Sequence, residues 1–241
     1  MKFMGSKNRH AKEILSIILK DRRPNQYYVE PFVGGCNVID KVVGNRIGAD
    51  SHYYLIEMWK ALCNGYFQPF KVTKEQYNHI RDNKDAYQPF EVGYVGFNCS
   101  YSGKWFGGYA GEVKTKIGTI RDYQDEAIRN IKIQINNLKG VQFYNKSYDE
   151  LEIPPESIIY CDIPYQNTTK YTGDFNHNKF WDWGRLMSKS GHKVYVSEYD
   201  APNDFECIWK KEAKSSLSAN GISGGNKISI EKLFRYKDGL K

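Results

Sequence analysis

An acid, a proline and an aromatic residue directly follow an apolar run near residue 160. Ile158 to Cys161 is typical of a buried strand, and Asp162-Ile163-Pro164-Tyr165, here called the tetrad, stands at its carboxyl end. Polar and aromatic groups at such ends form the ligand sites of open α/β sheets. A carboxylate and a carbonyl can accept both protons of an exocyclic amine while the ring stacks on the base. The tetrad therefore suits an adenine or cytosine turned out of a duplex, although by itself it could also be a plain turn.

A glycine-rich turn follows the first predicted strand, and an acid ends the second. The turn is Glu30-Pro31-Phe32-Val33-Gly34-Gly35, and Asp50 stands 20 residues after Glu30. Glycines let the backbone approach a ligand closely, and an acid after the second strand can bind both hydroxyls of a ribose. Because the full GxGxxG is missing, the pattern favours a nucleoside cofactor over a dinucleotide. From spacing alone, Asp50 is equally well explained as a cap of the following helix.

Two further segments carry residues that could contact ligands. Phe3-Met4-Gly5-Ser6-Lys7 offers a ring and an ammonium group to an amino-acid carboxylate, although the pattern alone favours a disordered start. Tyr101 to Tyr109, here called the aromatic loop, combines rings with Lys104 and several glycines. Such a segment suits insertion into a duplex and contact with phosphates, and it also suits the aromatic core of a separate lobe. Both interpretations can hold.

The elements between these motifs have the order of a doubly wound α/β sheet. Periodicity predicts helices over 9–20, 37–43, 54–62, 122–138 and 180–190, and strands over 27–29, 47–50, 141–144, 157–161 and 193–197. Residues 64–118 show weak periodicity and are rich in Gly, Tyr, Phe and Lys, so we interpret them as a separate lobe or long insert. Residues 205–209 and 227–236 predict a terminal antiparallel hairpin, with a Ser/Gly/Asn loop over 215–227 between them.

Composition limits the class of protein. The net charge is +7, from 35 basic and 28 acidic residues, and 19 tyrosines contribute to an aromatic content of 15%. A basic, tyrosine-rich surface suits nucleic acid, but a genome of biased base composition would give the same counts. Five scattered cysteines without a CxxC pair favour a reduced, cytoplasmic protein, and the five histidines have no metal-binding spacing. No apolar run approaches the roughly 20 residues that span a membrane. The oligomeric state is left open.

In order and spacing, these four motifs resemble those of the Dam-type DNA adenine-N6 methyltransferases. The resemblance extends over essentially the whole chain, through Val196-Ser197-Glu198-Tyr199. It implies an α/β fold with a doubly wound, mostly parallel, Rossmann-like methyltransferase sheet and an inserted, mainly helical DNA-recognition lobe. The catalytic domain, which binds S-adenosylmethionine, is expected at 1–63 and 140–241, and the DNA-recognition insert at 64–139. The implied reaction moves a methyl group from S-adenosylmethionine to N6 of a flipped adenine in double-stranded DNA, without a metal.

The resemblance also implies roles for individual residues. Lys7 is expected near the cofactor carboxylate, Asp50 on the ribose hydroxyls and Tyr165 on the face of the flipped base. Asp162 and the carbonyl of Ile163 would accept the protons of adenine N6. The implied cofactor-binding residues are Phe3, Lys7, Glu30, Phe32, Gly34, Gly35, Asp50 and Asp162, and the implied catalytic residues are Asp162, Ile163, Pro164 and Tyr165. Tyr101 would intrude on the duplex, and Ser102, Lys104 and Phe106 would also contact DNA.

Three positions depart from the family pattern. Ile163 replaces a proline whose backbone carbonyl is the group used, so activity is expected to survive. Cys36 replaces a glycine in the cofactor turn, which a thiol tolerates if its φ is negative. Phe106, with Lys104 nearby, stands where relatives that read GATC carry an arginine, so GATC specificity is not inferred.

Two other functions remain open at the level of sequence. Cytosine-N4 DNA methyltransferases use a similar tetrad on the same fold. A DNA-binding protein that keeps the fold but has lost catalysis is a second alternative, for which Ile163 and Cys36 would be the signs.

Overall fold

The computed structural model describes residues 1–115, 117–166, 175–214 and 228–237. The helices are α1 (Ala11–Ile18), α2 (Tyr53–Cys63), α3 (Lys74–Asp82), α4 (Pro89–Asn98), α5 (Tyr123–Leu138) and α6 (His177–Lys189). The strands are β1 (Tyr28–Glu30), β2 (Arg46–Ala49), β3 (Glu112–Lys114), β4 (Ile120–Asp122), β5 (Val141–Tyr144), β6 (Ile158–Asp162), β7 (Lys193–Glu198), β8 (Phe205–Lys214) and β9 (Ile228–Tyr236). Short 3₁₀ turns lie at Ile39–Lys41, Lys84–Ala86 and Tyr101–Gly103.

The chain divides into two compact units: unit one is Met1–Leu15 with Pro31–Glu152, and unit two is Ser16–Glu30 with Ile153–Lys241.

In unit two, the strands pair in the order β1-β6-β7-β9-β8. β1, β6 and β7 are parallel, with Asp162 opposite Ser197, whereas β9 runs antiparallel to both β7 and β8. The side chains from Ile158 to Cys161 are all buried, as expected for a parallel strand covered on both faces. Asp162 is the first residue of β6 with partial exposure. The tetrad therefore begins where the buried part of the strand ends.

In unit one, β2 pairs in parallel with β5, with Ala49 opposite Tyr144. Helix α4 packs on α2 so closely that a Cβ atom on Gly93 would lie 2.0 Å from the carbonyl oxygen of Tyr54. Helix α3 begins with a capping box, in which the Thr73 side chain accepts from the Gln76 amide and the Gln76 side chain accepts from the Thr73 amide. Strands β3 and β4 form a separate antiparallel hairpin.

The predicted fold class is confirmed, because the strands that the sequence predicted are mostly parallel and alternate with helices. The predicted terminal hairpin is also confirmed, and its connection at 215–227 lies outside the described residues. The predicted helix at 37–43 is only a single 3₁₀ turn. Helices α3 and α4 were not predicted. In α4, all residues from Val92 to Asn98 are buried. This part of the helix has no exposed polar face, so its sequence lacks the alternation of polar and apolar residues that predicts a helix.

Candidate active site

The glycine turn after β1 is covered by the ring of Phe3. Gly34 has φ +46°, and a Cβ atom there would lie 2.8 Å from Cε1 of Phe3. A Cβ atom on Gly35 would lie 2.5 Å from Cβ of Phe3. The indole N–H of buried Trp59 donates to the carbonyl of Gly34 at 3.0 Å, which fixes the turn from beneath. Close packing of Phe3 therefore requires glycine at both positions.

Asp50 joins this turn to the start of α2. Its Oδ2 accepts the amide of Gly34 at 3.1 Å, and its Oδ1 accepts the amide of His52 at 2.9 Å. Burial raises the pKa of Asp50, and these two amide bonds oppose the rise. The predicted helix cap is displaced by two residues: His52 is the N-cap of α2, and its Nδ1 accepts the amide of Leu55 at 3.3 Å. Asp50 is only partly exposed, and its carboxylate oxygens retain lone pairs that could accept ribose hydroxyls.

The segment from Phe3 to Lys7 is folded, so the disordered start favoured by the pattern alone is wrong. The Ser6 amide donates to the Phe3 carbonyl at 3.2 Å, and the His10 amide donates to the Lys7 carbonyl at 2.9 Å. Lys7 is only 6% exposed, and its Nζ donates to the carbonyl of Gly5 at 3.2 Å. Its ammonium group is thus held close to its own turn.

Two other predicted cofactor residues have different surroundings. Phe32, in unit one, is half-buried and stacks on Tyr148 with ring centroids 5.4 Å apart. Glu30, in unit two, is 3% exposed, and its Oε1 accepts the hydroxyl of Tyr28 at 2.7 Å. The carboxylate of Glu30 therefore lies in the interior of its unit.

Cys36 does not have the backbone conformation that the sequence analysis required of it. Its φ is +54°, so the condition of a negative φ, under which a thiol would be tolerated without strain, is not met. A residue with a Cβ atom in this left-handed region costs about 1–2 kcal/mol relative to the right-handed region. Its side chain is fully buried. Cys36 thus adopts a glycine-like backbone conformation at some cost in stability.

The tetrad in unit two presents Asp162 and Tyr165 on either side of a buried residue. Asp162 and Tyr165 are partly exposed, whereas Ile163 is 2% exposed. The Tyr165 hydroxyl donates to Oε2 of Glu231 on β9 at 2.8 Å. The edge of its ring meets Tyr199, with centroids 4.6 Å apart and an interplanar angle of 82°. Burial, followed by the nearby carboxylates of Asp162 and Glu231, raises the pKa of Tyr165 well above its ordinary value, so the hydroxyl keeps its proton.

Three residues that the sequence analysis did not select support the tetrad. The Nε2 of His177, the first residue of α6, lies 2.9 Å from the Pro164 carbonyl. The buried Glu198 ends β7, and its Oε2 accepts the amide of Gln166 at 3.1 Å. The third is Glu231, described above. Glu198 falls in the segment 196–199 that the resemblance included and could have been selected from it, whereas His177 and Glu231 lie in no motif of the sequence analysis.

The aromatic loop combines one outward ring with several packed ones. Tyr101 is 59% exposed, and its amide donates to the Gly108 carbonyl at 2.8 Å. Ser102 and Lys104 are also exposed, and Ser102 has φ +56°. Phe106 instead packs against Tyr77, with ring centroids 5.4 Å apart. The aromatic-core interpretation therefore applies to Phe106, and Tyr101 is the ring of this group that points outward.

Gly103 brings the aromatic loop against the residue next to Phe3. Its φ is +67°, and a Cβ atom there would lie 2.2 Å from the carbonyl oxygen of Lys2 and 3.0 Å from Cα of Phe3. The ring of Phe3 also lies 5.5 Å from that of Phe97, at the end of α4. Within unit one, the loop that carries Tyr101 and the glycine turn therefore share Phe3 as a neighbour.

Across the described ranges, no group of three or more His, Cys, Asp or Glu side chains could hold a metal ion. In the same part of the chain, no helix is long and apolar enough to cross a membrane.

A mostly parallel α/β sheet, a glycine turn followed by an acid, and an acid-X-Pro-Tyr tetrad at the end of a buried strand define a Rossmann-like methyltransferase. The chain belongs to the D12 class of N6 adenine-specific DNA methyltransferases, whose sequence model matches residues 3–215. It is therefore an enzyme that methylates adenine N6 in DNA, with S-adenosylmethionine as its cofactor. The resemblance to the Dam-type family is confirmed, and adenine is favoured over the cytosine-N4 alternative.

Three solved structures show a distant similarity. A protein of Thermoplasma acidophilum assigned as a methyltransferase has 9% identity and a TM-score of 0.34, with 92% of this chain and 72% of that chain covered. SMU.472, assigned as a methyltransferase and solved with SAH, has 11% identity and a TM-score of 0.41, with 100% and 55% covered. HI0767 of Haemophilus influenzae, assigned as a methylase, has 11% identity and a TM-score of 0.33, with 93% and 87% covered. No curated protein sequence matches the chain. Family membership therefore rests on the sequence match.

Proposed function

We propose that this enzyme methylates N6 of an adenine that is flipped out of double-stranded DNA, with Asp162 and Tyr165 as the residues that hold the base. The observation that carries this proposal is the tetrad at the end of buried β6, where a partly exposed carboxylate and an anchored ring lie three residues apart. A carboxylate can accept an amine proton and a ring can stack on a base face, as a flipped adenine requires.

The proposed chemistry uses hydrogen bonds to make a poor nucleophile reactive. The lone pair of the adenine amine is delocalised into the ring. Bonds from its two protons to the Asp162 carboxylate and the Ile163 carbonyl would favour a pyramidal nitrogen, and they would stabilise the positive charge that develops on it. S-adenosylmethionine, when bound, supplies the electrophilic methyl group. Pro164 has a fixed φ and links these acceptors to the Tyr165 ring.

The proposed cofactor residues of unit one fit S-adenosylmethionine. Gly34 and Gly35 allow Phe3 to pack directly on the turn, and the carboxylate of Asp50, a partly exposed residue, can accept ribose hydroxyls. We assign the Lys7 ammonium to the carboxylate of the cofactor. Phe3 and Phe32 are the other proposed cofactor residues of unit one.

The proposed DNA contacts lie in residues 64–139. Tyr101 is assigned to intrude on the duplex, because its ring is 59% exposed on a turn held by backbone bonds. Ser102 and Lys104 are assigned to the DNA backbone, and Phe106, which is partly exposed and packs on Tyr77, is also a proposed DNA contact. The net charge of +7 favours a polyanionic partner, so DNA affinity should fall as salt rises. We place the enzyme in the cytoplasm, where DNA and reduced cysteines occur together.

The test is methyl transfer from labelled S-adenosylmethionine to unmethylated duplex DNA, followed by digestion to nucleosides. N6-methyladenine is expected, and mapping its positions gives the recognition site. Asp162→Ala should abolish transfer and leave DNA affinity largely intact. The matched control is Asp182→Ala, which removes an exposed carboxylate from α6 of the same unit. An active Asp162→Ala enzyme would refute the role of that residue, and N4-methylcytosine would refute the substrate.

A further inference from the structure

Both peptide groups that flank Tyr165 are bonded to a histidine–glutamate pair. The carbonyl of Pro164 lies 2.9 Å from Nε2 of His177, and the amide of Gln166 donates to Oε2 of Glu198 at 3.1 Å. Because a carbonyl oxygen only accepts, Nε2 of His177 must carry the hydrogen. That nitrogen lies 3.8 Å from the same Oε2 of Glu198, so one carboxylate faces both the histidine and the amide.

We propose that His177 and Glu198 are positioning residues for methyl transfer, which set the direction of the Tyr165 ring through the backbone on either side of it. This inference rests on the proposed function, in which Tyr165 stacks on the flipped adenine. Neither residue is assigned a contact with the substrate. Their effect on the reaction passes through the peptide groups before and after Tyr165.

Pro164 and these two bonds constrain the backbone on both sides of Tyr165. The ring of Pro164 fixes its φ, so the main remaining freedom is rotation of the peptide that joins it to Tyr165. The bond to His177 restricts that rotation and the bond to Glu198 restricts the next peptide, while the bond from the Tyr165 hydroxyl to Glu231 holds the far end of the ring. A displacement of about 1 Å in a stacked substrate can reduce a rate roughly 100-fold, because the reacting atoms lose their alignment.

Glu198 and His177 are held well enough to act as a support. Glu198 is 2% exposed, and its Oε1 accepts the amide of Tyr199 at 2.7 Å. His177 begins α6, and its ring contacts Phe175 edge to face with centroids 4.9 Å apart. The support is therefore anchored at the end of β7 and at the start of a helix, both of which belong to unit two.

The decisive experiment compares His177→Gln with His177→Asn. A glutamine amide can place its nitrogen where Nε2 of histidine lies, whereas an asparagine amide reaches only the position of Nδ1. His192→Asn is the matched control, because His192 is also a half-buried histidine of unit two. Its Nδ1 accepts the amide of Ser157 at 3.1 Å, next to the end of β6 that is opposite to the tetrad. Each full-length variant is assayed for kcat, KM for DNA and product identity, on duplex DNA that contains the mapped site.

We expect His177→Asn to lower kcat about 10- to 100-fold with little change in KM for DNA. His177→Gln should stay within about threefold of the wild type, as a retained donor predicts, and so should His192→Asn. With 2-aminopurine at the target position, His177→Asn should also give brighter emission than wild type, because the stacked ring that quenches the flipped base is displaced.

Equal kcat values for the Gln and Asn variants, at equal melting temperature, would overturn the inference and leave the proposed function intact. A fall in kcat for His192→Asn as large as that for His177→Asn would do the same, since the effect would then be one of general stability. Wild-type protein that forms no N6-methyladenine would overturn the proposed function, and this inference with it.

Discussion

The amide of Gly34 donates a 3.1 Å hydrogen bond to Oδ2 of Asp50, so the glycine turn and the proposed ribose acid are one connected structure. Asp50→Asn would place an amide N–H group against one of the two backbone donors, Gly34 or His52, and would remove the negative charge. Since a hydrogen bond to a charged group contributes about 1.5–3 kcal/mol, cofactor affinity should fall roughly 10- to 150-fold. Isothermal titration calorimetry with S-adenosylmethionine measures this. Asp85→Asn, at an exposed site of unit one, is the control, and equal affinities of the two variants would contradict the assignment.

Gly103→Ala should weaken cofactor binding although Gly103 belongs to the aromatic loop. The new Cβ atom would lie 2.2 Å from the carbonyl oxygen of Lys2 and 3.0 Å from Cα of Phe3, so this segment must shift, which disturbs the packing of Phe3 on the glycine turn. Gly65→Ala is a closely matched control, since Gly65 has φ +72° against +67° for Gly103 and its Cβ atom would meet nothing within 4 Å. Both variants carry the cost of a positive φ, about 1 kcal/mol or more. Only Gly103→Ala should raise the Kd for S-adenosylmethionine, and an equal rise in both would show that strain alone is responsible.

The local sequence pattern predicted two kinds of element: helices and strands with one polar and one apolar face, and strands made of an uninterrupted apolar run. Strand β5 was predicted at its observed bounds, and α5 was predicted to within one residue, because polar and apolar positions alternate with the correct period. Helix α4 was missed because it is buried on all sides. Its pairing with α2 through Gly93 is a tertiary contact that no window of sequence contains.

The residues of the candidate site also fall into two groups: those that local sequence could predict and those that it could not. Asp162 and Tyr165 are adjacent to a strand end and could be recognised from neighbouring residues. Their supports, His177 and Glu231, lie on other elements, and only the folded chain brings them to the tetrad. The φ of Cys36 was also unpredictable, because glycine-like geometry at that position depends on the packing of the whole turn.

The stability of unit one should depend on the ionisation of Glu126. Arg121 donates two bonds to its carboxylate, at 2.5 and 2.9 Å, and Lys2 donates a third at 2.9 Å. The bonds from Arg121 and then Lys2 lower the pKa of Glu126 from 4.5 to about 2. A folded pKa below the unfolded one gives stability that is present above pH 4.5 and is lost as the pH falls towards 2.

Glu126→Gln should therefore lower the melting temperature at pH 7 and lower it less at pH 3. The effect at pH 7 should be about 0.5–1 kcal/mol, because the group is partly exposed and solvent screens the pair. Thermal unfolding by circular dichroism at pH 7, 5, 4 and 3 measures the difference between the two proteins. Glu152→Gln is the control, since the Glu152 side chain is 97% exposed. A difference that stays constant from pH 7 to pH 3 would contradict the role of these bonds.

Tyr101→Ala should slow methylation, and DNA that is already weakened at the target should restore the rate. The ring is 59% exposed on a turn whose geometry is fixed by the bond from its amide to Gly108, so it is available to enter a duplex. Loss of a stacked ring costs about 1–3 kcal/mol, which lowers kcat/KM for matched duplex roughly 5- to 150-fold. A mismatch opposite the target adenine reduces the cost of flipping, so the variant should recover most of its activity there.

Tyr101→Phe should behave like the wild type because the ring is retained, and Tyr66→Ala, at another exposed tyrosine of unit one, should be unaffected on either DNA. If the mismatch does not rescue Tyr101→Ala, the ring contributes to DNA binding without assisting base flipping.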